Sequence, residues 1–181
     1  MVAALGDALL PGLDRPYALF GSSMGALIAY ELARRLAGLT TQRPVLVCVS
    51  GNAAPHHPVR AAALHRLPDE EFLAELRQLG GTPDEFFGNR ELRALLLPML
   101  RSDFAVCETY RHADRPPLGC PILALGGASD RFIPSRHIEE WSMHTTSRFS
   151  CHMLPGDHFF LAQHMDEVLR IFSEHLDQTM G

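Results

Sequence analysis

The chain has 181 residues, 46% of them hydrophobic and 20% charged, with a formal net charge of −5. This length supports one domain with a real core, and the acidic balance excludes the basic face that a nucleic-acid binder needs. No run approaches the roughly 18 apolar residues of a membrane span, and the N-terminus has no charged segment leading into an apolar one, so a cytoplasmic protein without a signal peptide is expected.

Residues 2–10 carry Val2, Leu5, Leu9 and Leu10 at helical spacing, and Pro11-Gly12 closes that helix. A short apolar run, residues 17–20, follows and reads as a strand. It leads into Gly21-Ser22-Ser23-Met24-Gly25, a G-x-S-x-G pattern. Beyond it Leu27, Leu32 and Leu36 recur at helical spacing to about Gly38. Strand, G-x-S-x-G, helix is the context of a nucleophile elbow. At both Gly21 and Gly25 a Cβ is expected to collide with the crossing backbone, and the strained turn lifts Ser23 clear of the sheet. Residues 45–49 form a continuous apolar run, as expected of a parallel strand covered on both faces. The strand–helix–strand order makes a βαβ unit in a mostly parallel sheet, so the fold class is α/β.

The loop after residue 49 leaves at the strand's C-terminal end, where α/β sheets bind ligands. It contains His56 and His57, flanked by Pro55 and Pro58. Adjacent histidines in such a loop are not expected to converge on one ion, and no metal site and no cofactor are expected. Residues 61–112 hold no good strand. A helix is expected over 69–79, closed by Gly80-Gly81, and Thr82-Pro83-Asp84-Glu85 reads as a capping box. Asn89 starts another helix, which Pro98 must kink or break, and a further helical segment carries Leu100, Phe104, Cys107 and Tyr110. Asp103 and Glu108 are placed on its solvated face. This helical insertion, about residues 57–115, reads as a lid on a single domain spanning 1–181.

Residues 122–125 are the third strand, followed at its C-terminal end by Asp130. A helix with Trp141 covers 135–143, and residues 148–154 are the fourth strand, with Phe149, Cys151 and Met153 on one face. Pro155-Gly156-Asp157-His158 comes next, and one last helix carries Leu161, Met165, Val168, Phe172 and Leu176. Cys48, Cys107, Cys120 and Cys151 show no metal-like spacing and read as free thiols of a reducing compartment.

Ser23, Asp130 and His158 each follow a different strand, in the chain order of the α/β-hydrolase nucleophile, acid and base. Ser23 needs a base to take its proton, His158 can be that base, and Asp130 can fix its tautomer. The Met24 N–H is placed to meet an oxyanion. Asp157 is too near His158 in sequence to reach its ring, and reads as a cap or turn residue of the last helix.

These residues resemble the stand-alone type II thioesterases of polyketide and nonribosomal peptide synthesis. The similarity rests on the serine motif, Ser50-Gly51-Asn52-Ala53-Ala54-Pro55-His56, Leu100-Arg101-Ser102-Asp103-Phe104, Cys120-Pro121-Ile122 and Gly156-Asp157-His158-Phe159-Phe160. The resemblance implies an α/β hydrolase with a helical lid. Its implied reaction is hydrolysis of acyl thioesters on the phosphopantetheine arm of acyl or peptidyl carrier proteins, with Ser23, Asp130 and His158 as the triad. Two departures stand out. Ser22 occupies the place where the family usually has His, and the family's N-terminal portion, with further strands and a second oxyanion donor, is lacking, so Met1 reads as a fragment boundary or late start. A general carboxylesterase and an inactive, carrier-binding fragment remain as alternatives.

Overall fold

The computed structural model describes residues 1–57 and 63–180, which fall into two compact units, residues 1–57 with 113–181 and residues 58–112.

The first unit is built on four parallel strands: β1 (Ala18–Ser22), β2 (Leu46–Ser50), β3 (Ile122–Gly127) and β4 (Phe149–Leu154), in the spatial order β1-β2-β3-β4. Register runs Ser22 to Ser50, Ser50 to Leu125 and Leu125 to His152, so the C-terminal ends line up. β2 and β3 are buried along their whole length, as their unbroken apolar runs require. Alternation sends Val47, Val49, Ile122 and Ala124 to one face, where they pack with Tyr30, Ile138 and Trp141. Leu46, Cys48, Leu123 and Leu125 go to the other, against Phe160, Val168 and Ile171. Helix α2 (Met24–Ala37) is the crossover from β1 to β2, and α1 (Val2–Leu9) packs against it. The predicted 135–143 helix is a single turn, α6 (Ser135–Glu139), that tightens into a 3₁₀ segment over Glu140–His144. The single last helix expected from the sequence is two. Its α7 (Phe160–Gln163) stops at His164, whose φ of −124° and ψ of 32° are not helical, and α8 (Met165–Met180) follows.

The second unit has its own core of Leu64, Phe72, Leu76, Phe86, Phe87 and Leu97, and no strand among its described residues. α3 (Asp69–Leu79) ends as predicted at Gly80, with positive φ at both Gly80 and Gly81. The capping box does not form: α4 (Asp84–Gly88) begins after Pro83 with no side-chain cap. Asn89 does cap α5 (Arg90–Thr109), its Oδ1 accepting from the N–H groups of Glu91 and Leu92 at 3.0 Å each. Pro98 neither breaks α5 nor separates the segment carrying Leu100 to Cys107 from it. Pro98 and Ala94, whose carbonyl loses its donor, are both exposed residues. Glu108 is not on a solvated face: its side chain is 5% exposed and accepts from the backbone N–H of Leu64 (2.9 Å) and His65 (3.1 Å) and from the His65 ring. An i,i+3 or i,i+4 pattern cannot show such a bond, because its donors lie over forty positions away. Asp103 is exposed, as expected.

Candidate active site

Between β1 and α2 the chain turns at Ser23 with φ of 52° and ψ of −118°, the one non-glycine residue with positive φ among the described residues. That region is costly for an L side chain, so the surrounding structure must hold it. Two bonds at the end of β2 do so: the Ser23 N–H donates to Ser50 O at 2.8 Å, and Asn52 Nδ2 donates to Ser23 O at 2.7 Å. Gly21 is dictated by contact, since a Cβ there would lie 1.9 Å from Gly25 O. Gly25 departs from the expectation, because a Cβ on it would meet nothing within 4 Å. It is the Gly25 backbone that crowds Gly21, while the place a Gly25 Cβ would take is open.

Asp130 and His158 are brought together by the loops that extend β3 and β4. Ala128 N–H bonds Leu154 O at 2.7 Å, and Ser129 N–H bonds Gly156 O at 2.8 Å. Gly156 turns the chain with φ of 108°, and Gly127 admits the crossing at close range, because a Cβ there would sit 2.2 Å from Asp157 O. Asp157 keeps the local role expected of it, accepting from Phe159 N–H at 2.9 Å.

The three residues then form a continuous line. Ser23 Oγ lies 3.3 Å from His158 Nε2, and His158 Nδ1 lies 2.8 Å from Asp130 Oδ2. Asp130 Oδ1 accepts from Phe132 N–H (2.8 Å) and Ile133 N–H (3.1 Å), and its side chain is only 2% exposed. Burial pulls the Asp130 carboxyl pKa up; the His158 bond, the two N–H donors and the His158 charge outweigh it and hold the pKa below its ordinary value. Phe132 and Phe159 stand edge-on to the His158 ring. Met24 is the first residue of α2, where helix N–H groups have no intrahelical partner. A serine beside an imidazole held by a buried carboxylate can be deprotonated as it attacks an acyl carbon. The cysteines offer no rival nucleophile. All four are free, burial pushes Cys48 up, and Cys107, Cys120 and Cys151 are pushed up to about 11, so at neutral pH they are thiols.

The Thioesterase domain family model matches residues 1–176. The chain belongs to the thioesterase domain family. It is a hydrolase acting on thioesters, and the expected α/β-hydrolase fold is borne out by its relatives. Among curated proteins this thioesterase is 48% identical to "Linear gramicidin dehydrogenase LgrE" of Brevibacillus parabrevis, over 99% of this chain and 70% of that one. Among solved structures it matches RedJ, a thioesterase from the prodiginine pathway of Streptomyces coelicolor, with a TM-score of 0.88 and 38% identity over 96% of this chain and 69% of that one. YbtT, a type II thioesterase from the yersiniabactin pathway, matches with a TM-score of 0.88 and 32% identity over 99% and 74% of the two chains.

Two features of the thioesterase escaped the sequence. Asn52 and Trp141 support the elbow from outside the motif: Trp141, fully buried, donates from Nε1 to Asn52 O at 2.9 Å, and Asn52 in turn holds Ser23. The signal was the Ser50-Gly51-Asn52 exit from β2, but a bond made through a backbone oxygen leaves no residue-type trace. The second is His56 and His57, which do converge. Residues 54–57 form a turn, with His57 N–H on Ala54 O at 3.0 Å, so the neighbouring side chains emerge side by side, their ring centroids 4.4 Å apart. Both Nε2 atoms reach Glu140 Oε2.

Proposed function

We propose that this thioesterase hydrolyses acyl thioesters carried on the phosphopantetheine arm of acyl or peptidyl carrier proteins, in a polyketide or nonribosomal peptide system and in the cytoplasm. The observation that carries the reading is the Ser23–His158–Asp130 line at a strained strand-to-helix turn. The pathways named for RedJ and YbtT support the substrate class, and four free thiols fit a reducing compartment.

In this mechanism Ser23 Oγ attacks the thioester carbonyl while its proton passes to His158 Nε2. Asp130 holds Nδ1–H and balances the imidazolium. The Met24 N–H stabilises the tetrahedral oxyanion. Collapse breaks the C–S bond, and the departing thiol takes the proton from His158. Water, deprotonated by the same ring, then attacks the acyl-serine, releasing the carboxylic acid and restoring Ser23. No cofactor enters. The helical segment 57–115, inserted after β2, is proposed as the lid of the single 1–181 domain. A nicotinamide reading, which the name of LgrE raises, is disfavoured: the glycines at the end of β1 and the start of α2 are spaced G-x-x-x-G around the strained serine, not G-x-G-x-x-G over a pyrophosphate.

The test pairs a fluorophosphonate probe with turnover of acyl-pantetheine thioesters and nitrophenyl esters. Adduct on Ser23, with kcat lowered about 10⁴-fold or more in Ser23→Ala and His158→Ala, is expected. Labelling elsewhere, or unchanged turnover in Ser23→Ala, overturns the assignment. Preference for the oxygen ester moves the substrate class to carboxylesters.

A further inference from the structure

Four histidines and a glutamate gather between the loop after β2 and the α6–3₁₀ segment, and the hydrolytic mechanism uses none of them. His56 Nε2, His57 Nε2 and a Glu140 carboxylate oxygen lie within 4.8 Å of one another. His56 Nε2 is 3.1 Å from Glu140 Oε2, and His57 Nε2 approaches the same oxygen. Ligands about 2.0–2.2 Å from a tetrahedral ion stand about 3.3 Å apart, a spacing that the 3.1 Å between His56 Nε2 and Glu140 Oε2 matches. The three side chains are 31%, 19% and 37% exposed, open enough for an ion to enter.

A second observation supports the His56 ring from behind. His56 Nδ1 lies 2.8 Å from His144 Nε2, and His144 Nδ1 lies 3.2 Å from Tyr30 Oη. His144 is 7% exposed and Tyr30 fully buried. In one of the two neutral proton arrangements that these contacts allow, His56 Nδ1–H donates to His144 Nε2 and His144 Nδ1–H donates to Tyr30 Oη. That arrangement, the one a bound ion would select, leaves Nε2 of His56 unprotonated and facing Glu140 Oε2. Such an outer bond to a ligating imidazole sets its tautomer and raises its basicity. The His57 ring is held in place by stacking on His137, with centroids 3.9 Å apart. Without an ion, each Nε2 atom must carry a proton to satisfy the one carboxylate oxygen that both approach. One divalent ion replaces both protons.

We infer that His56, His57 and Glu140 form a binding site for a zinc-class divalent transition-metal ion. Two imidazoles and one carboxylate suit zinc and its first-row neighbours, whereas magnesium and calcium take oxygen shells. The ion is structural. It ties the Gly51–His57 loop, whose Asn52 holds Ser23 O, to the Glu140–His144 segment, whose Trp141 holds Asn52 O.

The experiment uses the full chain, stripped with chelator and titrated with Co²⁺ and then Zn²⁺ at slightly alkaline pH. One Co²⁺ per chain, with visible d–d bands and no thiolate charge-transfer band, is expected, with displacement by Zn²⁺ and a saturable rise in Tm. His57→Ala and Glu140→Gln lose these signals. His144→Phe binds about 10–100-fold more weakly. Circular dichroism checks that each variant is folded, and the two surface substitutions remain informative if His144→Phe is not. Co²⁺ bands of undiminished strength in folded Glu140→Gln, or no saturable signal in the unaltered chain, overturn the proposal.

Discussion

Gly21 and Gly25 bracket one turn for different reasons, and substitution separates them. Gly21→Ala drives a Cβ into Gly25 O; the chain must open the elbow, and a loss of about 3 kcal/mol or more, or failure to fold, is expected in urea titration. Gly25→Ala meets open space at the start of α2, and its stability should change by less than about 1 kcal/mol. Asp130 gives a pH prediction. Its folded pKa lies below the ordinary 3.8, so the unfolded chain binds the proton more readily. The stabilisation is complete above 3.8 and is lost as pH falls through the lower, folded value. Tm measured across the acid range should therefore fall less steeply in Asp130→Asn than in the unaltered chain, and the same substitution should lower kcat by about 10⁴-fold. Ser23, Asp130 and His158 were legible because each stands just past a strand, in an order that few folds share. Asn52 was not, because its contribution is one amide bond to a carbonyl. Glu108 was misplaced because its donors are distant in sequence.

At the level of elements, hydrophobic period carried most of the information. The β2 and β3 runs and the α3 limits are found where the sequence puts them, since a buried parallel strand and an amphipathic helix each leave their own repeat. Termini and breaks were harder. A capping box needs the backbone to enter at the right angle, and at α4 Pro83 takes the position before the helix instead. Asn89 is the working cap, and Asn89→Ala should cost about 1 kcal/mol, read from the urea midpoint. Pro98 lies inside an unbroken α5 with its ring in solvent. Pro98→Ala restores the missing donor and should stabilise the protein by about 1–3 kcal/mol.

For the whole molecule, burial sets the order in which the backbone opens. β2 and β3 are buried on both faces and paired on both sides, while β1 and β4 are the sheet's outer strands. Amide exchange should be slowest in β2 and β3 and measurably faster in β1. The opposite order would mean that burial and pairing on both sides do not set which strand opens first. The sequence reads as one domain with an insertion, and the insertion's own core has no trace there, because a core announces itself by which residues touch and not by their composition.

β2 and β3 are neighbours across the sheet, yet all of residues 58–112 intervene along the chain. The entropy of closing that span depends only on the logarithm of its length, so doubling it costs about 0.6 kcal/mol. Length changes between residues 63 and 112 that leave the Leu64, Phe72 and Phe86 core intact therefore cost little through chain closure, while every group in the Ser23–His158–Asp130 line is coded outside that segment. Heredity is handed a partition: one stretch of gene can drift quickly, and the remainder must hold still.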